Sequence, residues 1–196
     1  MSREPDRRAK ESSRDRPAGF ALFLSGLSGA GKSTIALALQ RQLAETELRY
    51  VKVLDGEMFR FSVPRNHDNA RALRGLTTLR IASVAAEITR SGGVAVCAAI
   101  APSEKLRERA RVTVEKWGRF ILVYLSTPLS VCEQRDCKGI YHSIRAGSLE
   151  CLTGITDPYE VPEHPDLTID TSNIPIETAV GSIVQYLRNG GLVHRE

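Results

Sequence analysis

Short apolar runs alternate with longer amphipathic stretches along most of the chain. This alternation predicts repeated β-α units around a parallel sheet. The first run is short and almost continuously apolar, as expected of a strand that is covered on both faces. Five runs are predicted to be strands, namely Phe20–Ser25, Tyr50–Leu54, Val94–Ile100, Phe120–Ser126 and Asp166–Asp170.

Four stretches carry apolar residues at helical spacing and are predicted to be helices. They span Thr34–Leu48, Leu76–Thr89, Glu104–Trp117 and Ile176–Leu187. The apolar face of the first is predicted to contain Ile35, Ala36, Leu39, Leu43 and Ala44. The apolar face of the second is predicted to contain Leu79, Ile81, Val84, Ala85 and Ile88. The connection over residues 128–165 begins helically and then becomes rich in Gly, Asp, Pro and Tyr, and connections of that length are usually functional or disordered.

The composition is that of an ordinary globular protein. Of the 196 residues, 42% are hydrophobic and 26% are charged, which predicts one folded domain over residues 19–196. Residues 1–18 have almost no apolar side chains and mix six basic with four acidic residues, so they are predicted to form a disordered tail. Mixed charges favour a solvated arm over one that binds nucleic acid or a membrane surface.

Several kinds of site and location are disfavoured by the sequence. No apolar run reaches the length of about 18 residues that a transmembrane helix needs, and no apolar run of a signal peptide follows the charged N-terminal residues. The four cysteines form no C-x-x-C pair and are expected to be free thiols in a reducing cytoplasm. The four histidines lack metal-ligand spacing and the aromatic residues are scattered, so neither zinc nor nucleic acid is expected as a partner.

A phosphate-binding motif lies between the first predicted strand and the first predicted helix. Residues 26–33 read GLSGAGKS and match G-x-x-x-x-G-K-[ST] at every fixed position. In this motif backbone N–H groups surround the phosphates of ATP, Lys32 reaches the β- and γ-phosphates, and Ser33 binds Mg²⁺. The residues predicted to contact ATP are Ser28, Gly29, Ala30, Gly31, Lys32, Ser33 and Thr34. The fold class predicted is therefore an α/β, three-layer P-loop nucleotide kinase fold with about five parallel strands, helices on both faces, and a lid near residues 128–165.

A candidate catalytic carboxylate ends the second strand. Asp55 lies where open parallel sheets bind ligands, so it is predicted to accept a proton from a substrate hydroxyl or to orient that hydroxyl. The alternative is that Asp55 only caps the following turn, and Glu57 is expected to begin a helix.

Basic side chains are candidates for binding an anionic substrate, because Arg in particular forms bidentate contacts with anions. Those after the second strand are Arg60, Arg65, Arg71, Arg74 and Arg80. Those of the lid are Arg135, Lys138 and Arg145, which could neutralise charge on the transferred group. The alternative for each of them is a solvated surface position.

Together these segments resemble the adenylylsulfate kinases, which use ATP to phosphorylate the 3′-hydroxyl of adenosine 5′-phosphosulfate (APS). The resemblance covers residues 19–190. It rests on GLSGAGKST at 26–34, LDG at 54–56, TPL at 127–129, VCE at 131–133, RD at 135–136, KG at 138–139, RAG at 145–147, TGI at 153–155, DPYE at 157–160 and Pro162.

The resemblance implies roles for individual residues and a small anionic, nucleotide-like acceptor. Arg60 and Arg74 match arginines that hold the acceptor's phosphosulfate and nucleotide parts. Ile100 is also expected to contact the acceptor. Arg135 matches a residue near the ATP adenine and is grouped with Lys32 and Asp55 as catalytic. Lys138 and Thr153 match lid positions that cover the nucleotides. A homodimer is also implied.

The sequence departs from the family pattern around the expected acceptor site. The family's second aspartate becomes Glu57, an Asn and an Arg become Thr77 and Leu79, and a phenylalanine that covers the substrate base is replaced near Asn69. The family's Ser-Pro-Tyr-Arg becomes residues 101–104, so Ala101 cannot be the serine that is phosphorylated in some members, and Glu104 reverses a charge. Lost hydrogen-bond partners would weaken APS binding. Two alternatives to an APS kinase therefore stay open: a relative that phosphorylates another nucleotide-like or biosynthetic hydroxyl, and a nucleotide-binding regulatory subunit without activity.

Overall fold

The apolar runs of the sequence form five parallel strands of a single sheet. In the computed structural model, which describes residues 18–47, 49–59 and 67–194 and, of residues 67–71, the backbone alone, the strand order is β2-β3-β1-β4-β5. The strands are β1 (Phe20–Ser25), β2 (Val51–Asp55), β3 (Val94–Ala98), β4 (Arg119–Leu125) and β5 (Leu167–Ile169). The predicted parallel sheet is confirmed, with shifts of one or two residues at most strand ends.

Six α-helices and one 3₁₀ turn accompany the strands in the described residues. The helices are α1 (Lys32–Thr46), α2 (His67–Arg90), α3 (Glu104–Val114), α4 (Leu129–Arg135), α5 (Ile140–Arg145) and α6 (Ile176–Asn189), and the 3₁₀ turn is Gly56–Phe59. All four predicted helices are present. Glu57 lies in the 3₁₀ turn, so the expected helix start is a single short turn rather than an α-helix.

Alternate residues of the strands face two different helical layers. Phe20, Leu22 and Leu24 belong to a core cluster that includes residues of α1 and α6. Ala21 and Phe23 belong to a second cluster, which includes residues of α2 and α3. Because both faces of the sheet are covered, β1 is buried along its whole length, and the predicted three-layer architecture is confirmed.

Helix α2 begins well before its predicted start at Leu76, and its buried face differs from the predicted one. Gly75 disfavours a helix by propensity, yet it lies inside α2 and next to the Leu106 side chain of α3. Val84 is exposed, whereas Ala82 and Ala86 are buried. Small side chains next to Ile81 and Ala85 allow a broader face to pack against the sheet and α3. In α1, Ala44 is likewise exposed, contrary to the prediction.

The connection between β4 and β5, residues 128–165, folds over the turn that follows β1. Its predicted helical beginning is present as α4, and α5 follows after a short turn. The backbone of α4 lies close to the backbone of this turn, since a Cβ on Gly29 would lie 2.8 Å from the carbonyl oxygen of Cys132 in α4. Gly29 has φ 80°, so glycine is required at this position on two grounds.

The proposed tail lies almost entirely outside the described residues, which begin at residue 18. No helix in the described ranges is both long and apolar enough to cross a membrane. The division into a tail and a domain stays a prediction.

Candidate active site

A cleft of about 590 Å³ opens at the carboxyl ends of the central strands. This is the edge at which open parallel sheets bind their ligands. One wall is formed by the turn after β1 and the start of α1, a second by the ends of β2 and β3 with part of α2, and a third by residues 136–152 of the β4–β5 connection. The cleft therefore joins the predicted ATP-binding motif with three of the predicted acceptor-binding residues, Arg74, Ile100 and Lys138.

The GLSGAGKS segment forms a tight turn between β1 and α1. Its three glycines Gly26, Gly29 and Gly31 all have positive φ, and Gly31 precedes the first residue of α1. The Nζ atom of Lys32 donates hydrogen bonds to the carbonyl oxygens of Gly26, at 2.9 Å, and Leu27, at 2.6 Å. The ammonium group is therefore held over the turn at the positive end of α1, where an anion is favoured.

Most of the predicted ATP contacts lie on the cleft wall. The lining residues from this group are Ser28, Gly29, Gly31, Lys32, Ser33 and Thr34. Ala30 is fully buried and packs in the core instead.

Arg135 lies behind the turn and does not line the cleft. Its Nη1 donates to the carbonyl oxygen of Gly29 at 3.3 Å and to Oγ1 of Thr171 at 2.9 Å, and its Nη2 donates to the carbonyl oxygen of Thr171 at 2.6 Å. Thr171 Oγ1 in turn donates to the carbonyl oxygen of Ala30 at 3.1 Å and lies 2.8 Å from the hydroxyl of Thr127. Arg135 thus supports the phosphate-binding turn through Thr171.

Sequence reasoning missed Thr171 and Tyr141 as supports of this turn. The Tyr141 hydroxyl donates to the carbonyl oxygen of Ser28 at 2.8 Å, and burial raises the pKa of this tyrosine, which keeps it a donor. The available signal for Thr171 was its position just after the last strand, at the same sheet edge as the motif. Tyr141 gave no local signal, because its partner lies far away in the chain.

Asp55 lines the cleft and also forms a turn. Its Oδ1 accepts a hydrogen bond from the backbone N–H of Glu57 at 2.9 Å, as in an Asx turn. The two interpretations offered by the sequence are therefore compatible: the turn contact orients a carboxylate that faces the cleft.

The second and third walls of the cleft carry basic groups that are paired with carboxylates. Arg74 donates to Asp157, and its Nη2 lies 2.8 Å from the sulfur of Cys151. Lys138 donates to Glu57, which brings the β4–β5 connection against the turn after β2. These pairs place both cations at the cleft and fix their orientation.

The remaining predicted acceptor residues have different positions. Ile100 lines the cleft. Thr153 is 1% exposed, does not line the cleft, and has a buried hydroxyl for which the described residues provide no hydrogen-bond partner. Arg60 and the side chain of Asn69 lie outside the described residues.

Some of the positions that depart from the family pattern line the cleft, and others do not. Glu57, Thr77 and Ala101 lie on the cleft wall. Leu79 and Glu104 do not, and Glu104 instead accepts hydrogen bonds from Arg107.

The donor set suits a magnesium ion that is held mainly by ATP. Among the described residues, no three His, Cys, Asp or Glu side chains form a metal-binding group. Mg²⁺ in phosphoryl-transfer sites is commonly held by one or two protein oxygens together with phosphates and water. The hydroxyl of Ser33, on the cleft wall next to Lys32, fits that requirement.

Comparison with known proteins agrees with this geometry. The family profile described as adenylylsulphate kinase matches residues 18–170. The chain belongs to the adenylylsulphate kinase family. An adenylyl-sulfate kinase of Halothermothrix orenii is 38% identical over 176 residues, which are 90% of this chain and 93% of the relative. A solved structure, the APS kinase CysC of Mycobacterium tuberculosis in complex with AMPPNP and APS, has a TM-score of 0.78 at 32% identity and covers 88% of this chain and 99% of the CysC chain.

Longer proteins also contain this family domain. A sulfate adenylyltransferase of Phaeosphaeria nodorum is 44% identical over 175 residues, which are 89% of this chain and 30% of the relative. The chain thus spans about a third of the length of several curated relatives that it matches.

Proposed function

We propose that the protein is an APS kinase, which transfers the γ-phosphoryl group of ATP to the 3′-hydroxyl of APS. The observation that carries this proposal is the placement of Lys32, Asp55 and Arg74 on the wall of one cleft in a member of the adenylylsulphate kinase family. Lys32 provides a positive charge for the phosphates of ATP, and Asp55 provides a carboxylate for the hydroxyl nucleophile. Arg74 provides a positive charge for the anionic acceptor.

The turn after β1 binds the phosphates of ATP in this proposal. Its backbone N–H groups and the start of α1 stabilise the negative charge, and Lys32 donates to the β- and γ-phosphates. Ser33 would hold the Mg²⁺ that accompanies ATP. When bound, this ion would neutralise part of the negative charge of the phosphates. Arg135, Thr171 and Tyr141 keep the turn in place.

The chemical step needs a deprotonated or well-oriented acceptor oxygen. The 3′-oxygen forms a bond to the γ-phosphorus while the bond from that phosphorus to the bridging oxygen of ADP breaks. Asp55 accepts the hydroxyl proton or orients the hydroxyl, and its turn contact to Glu57 fixes the carboxylate for this task. The products are ADP and the 3′-phosphorylated acceptor.

The acceptor's anionic groups bind Arg74 and Lys138. Both cations lie at the cleft, and each contacts a carboxylate, Asp157 or Glu57. An anionic acceptor can take the place of these carboxylates, because a phosphosulfate provides the same kind of oxygen acceptors for an Arg fork. Arg60 remains a proposed acceptor ligand, and Thr153 is proposed to act through the backbone of the lid.

The two alternative functions are less well supported. The chain is similar over about nine-tenths of its length to proteins named as adenylyl-sulfate kinases, which argues against a change of acceptor. Lys32, Ser33 and Asp55 all lie on the cleft wall, which argues against an inactive subunit.

The test is phosphoryl transfer from labelled ATP to APS with Mg²⁺, set against a panel of other nucleotides and hydroxyl compounds. We expect APS to be labelled and Lys32→Ala to lower turnover by about 10²- to 10³-fold, the size of effect seen when one donor to the charge developing in a transition state is removed. Lys105→Ala, on the exposed side of α3, is the matched control and should keep wild-type turnover. Labelling of another compound in preference to APS would contradict the proposal.

The homodimer stays a prediction from family resemblance. Sedimentation equilibrium of the purified protein measures it directly, and a monomer at all concentrations would contradict it.

A further inference from the structure

The loop between β3 and α3 has an unfavourable backbone conformation. Its first residues line the cleft on the side proposed to bind the acceptor, which is called the acceptor wall below. Ala101 has φ 44°, which lies in the left-handed region that residues other than glycine rarely adopt. Such conformations persist in L-residues only where surrounding contacts maintain them. Residues 98–101 line the cleft, so the contacts that hold Ala101 also determine the shape of the acceptor wall.

A buried arginine provides one of these contacts. Arg107 lies on α3 with its side chain 2% exposed. Its Nη1 donates to the carbonyl oxygen of Ala101 at 2.8 Å, while Nε and Nη2 donate to Oε2 of Glu104 at 3.2 and 2.5 Å. One guanidinium thus ties the loop to the first turn of α3.

Tyr159, in the last part of the β4–β5 connection, also holds this loop, through Ser25. Its hydroxyl lies 2.8 Å from Oγ of Ser25, and this serine donates to the carbonyl oxygen of Ile100 at 2.8 Å. The Arg107 guanidinium lies 5.9 Å from the centre of the Tyr159 ring, within range of a cation–π interaction. The carbonyl oxygens of Ile100 and Ala101 are therefore both fixed by buried side chains.

The neighbouring Glu160 completes the contact between the connection and the loop. Its backbone N–H donates to the carbonyl oxygen of Pro102 at 2.9 Å. Its Oε2 accepts from the backbone N–H of Glu104 at 2.7 Å, at the positive N-terminus of α3. This carboxylate satisfies a helix N–H for which the preceding Ser103 side chain provides no cap.

We infer that Arg107 is a positioning residue for the acceptor. It does not line the cleft, and it acts by holding the backbone of Ile100 and Ala101 in the shape that the acceptor meets. The inference rests on the proposed function for the identity of the acceptor, APS. The ATP side of the cleft is supported by different residues, Arg135 and Thr171, so loss of Arg107 affects the acceptor selectively.

The kinetic test compares Arg107→Met and Arg107→Lys with a control on the same helix. Arg107→Met should raise the KM for APS about tenfold or more, with kcat and the KM for ATP within about twofold, since the altered loop weakens binding of the acceptor equally in the ground state and the transition state. Arg107→Lys should recover part of the loss, because an ammonium can still donate to Ala101. The control is Arg111→Met: Arg111 packs 4.8 Å from the Phe120 ring centre and pairs with Glu115 and Asp166, so its loss should lower Tm without changing either KM.

A second measurement distinguishes failure of this inference from failure of the proposed function. Hydrogen–deuterium exchange of residues 98–104 should be faster in Arg107→Met, and exchange of residues 26–34 should be unchanged. This result does not require APS to be the acceptor. Unchanged exchange at 98–104, or an equal rise of both KM values, would overturn the inference even if the wild-type protein phosphorylates APS.

Discussion

At the scale of single residues, Asp55 combines a structural and a proposed chemical role. Its carboxylate accepts a hydrogen bond from the turn after β2 and faces the cleft. A comparable turn follows β5, where Asp170 accepts from the backbone N–H of Ser172 at 2.8 Å. Hydrogen bonds from Ser172 lower the pKa of Asp170. Asp170 does not line the cleft. Changing each aspartate in turn therefore distinguishes the effect of losing the turn contact from the effect of losing a carboxylate at the cleft.

We predict that Asp55→Asn lowers kcat for APS phosphorylation by about 10²- to 10⁴-fold, the usual contribution of a general base. The amide oxygen can still accept from Glu57, so the fold and the KM for ATP should change little. Asp170→Asn is the matched control and should keep kcat close to the wild-type value. Steady-state kinetics of both variants provide the check, and a similar loss in both would assign Asp55 a purely structural role.

Tyr159 makes the free energy of unfolding depend on pH in the alkaline range. Burial raises its pKa to about 12, and the hydroxyl stays neutral beside Ser25. The unfolded chain loses the tyrosine proton near its ordinary pKa of about 10, while the folded protein keeps it. Between these two values the unfolded state binds fewer protons than the folded state, so the free energy of unfolding falls as the pH rises.

We therefore predict that the wild-type protein loses about 1 kcal/mol more stability than Tyr159→Phe between about pH 9 and pH 11. Urea unfolding of both proteins at the two pH values measures this difference, and the comparison cancels the titration of the other tyrosines. Equal losses in the two proteins would show that Tyr159 titrates normally in the folded state.

At the scale of elements, the turn that we propose to bind ATP depends on the ends of two strands that lie far away in sequence. Thr127 follows β4 and Thr171 follows β5, and their hydroxyls lie 2.8 Å apart behind the turn. Parallel strands bring their carboxyl ends to one edge, so these residues meet the turn after β1. The turn is thus fixed by the sheet as well as by its own glycines.

We predict that Thr171→Val raises the KM for ATP several-fold and leaves the KM for APS near its wild-type value. Valine keeps the shape but removes the hydroxyl, so Arg135 and the Ala30 carbonyl each lose a partner, at a cost of about 1–3 kcal/mol in stability. Thr168→Val, on the exposed side of β5, is the control. Kinetics and urea unfolding of both variants test the prediction, which fails if both KM values rise equally.

The sequence predicted elements well where the signal was local and continuous. β1 has the predicted limits because its six residues are apolar or small and covered on both faces. The start of α2 differs from the prediction because Gly75 interrupts the helical pattern of the sequence, whereas in the structure Gly75 lies within α2 beside Leu106 of α3. The phosphate-binding motif was contiguous and could be found in full. Arg107 and Thr171 could not, since their partners are set by the packing of separate elements.

At the scale of the whole molecule, the fold and the cleft can be perturbed separately. Ile183 on α6 is fully buried in the cluster that covers one face of the sheet, and it does not line the cleft. Lys32 lines the cleft and bonds to the turn. A change in the first should lower stability without affecting ligand binding, and a change in the second should do the reverse.

This separation is measurable as a ligand-dependent shift of Tm with AMPPNP and Mg²⁺. At a ligand concentration of about 100 times Kd, binding to the folded state adds about 2.7 kcal/mol of stability. Ile183→Val should lower the stability of the ligand-free protein by about 0.5–1.5 kcal/mol and keep the full ligand-dependent increase. Lys32→Ala should have nearly the wild-type Tm without ligand and lose most of the increase. If Lys32→Ala keeps the increase, AMPPNP binds elsewhere than the turn after β1, and the assignment of this cleft to ATP is wrong.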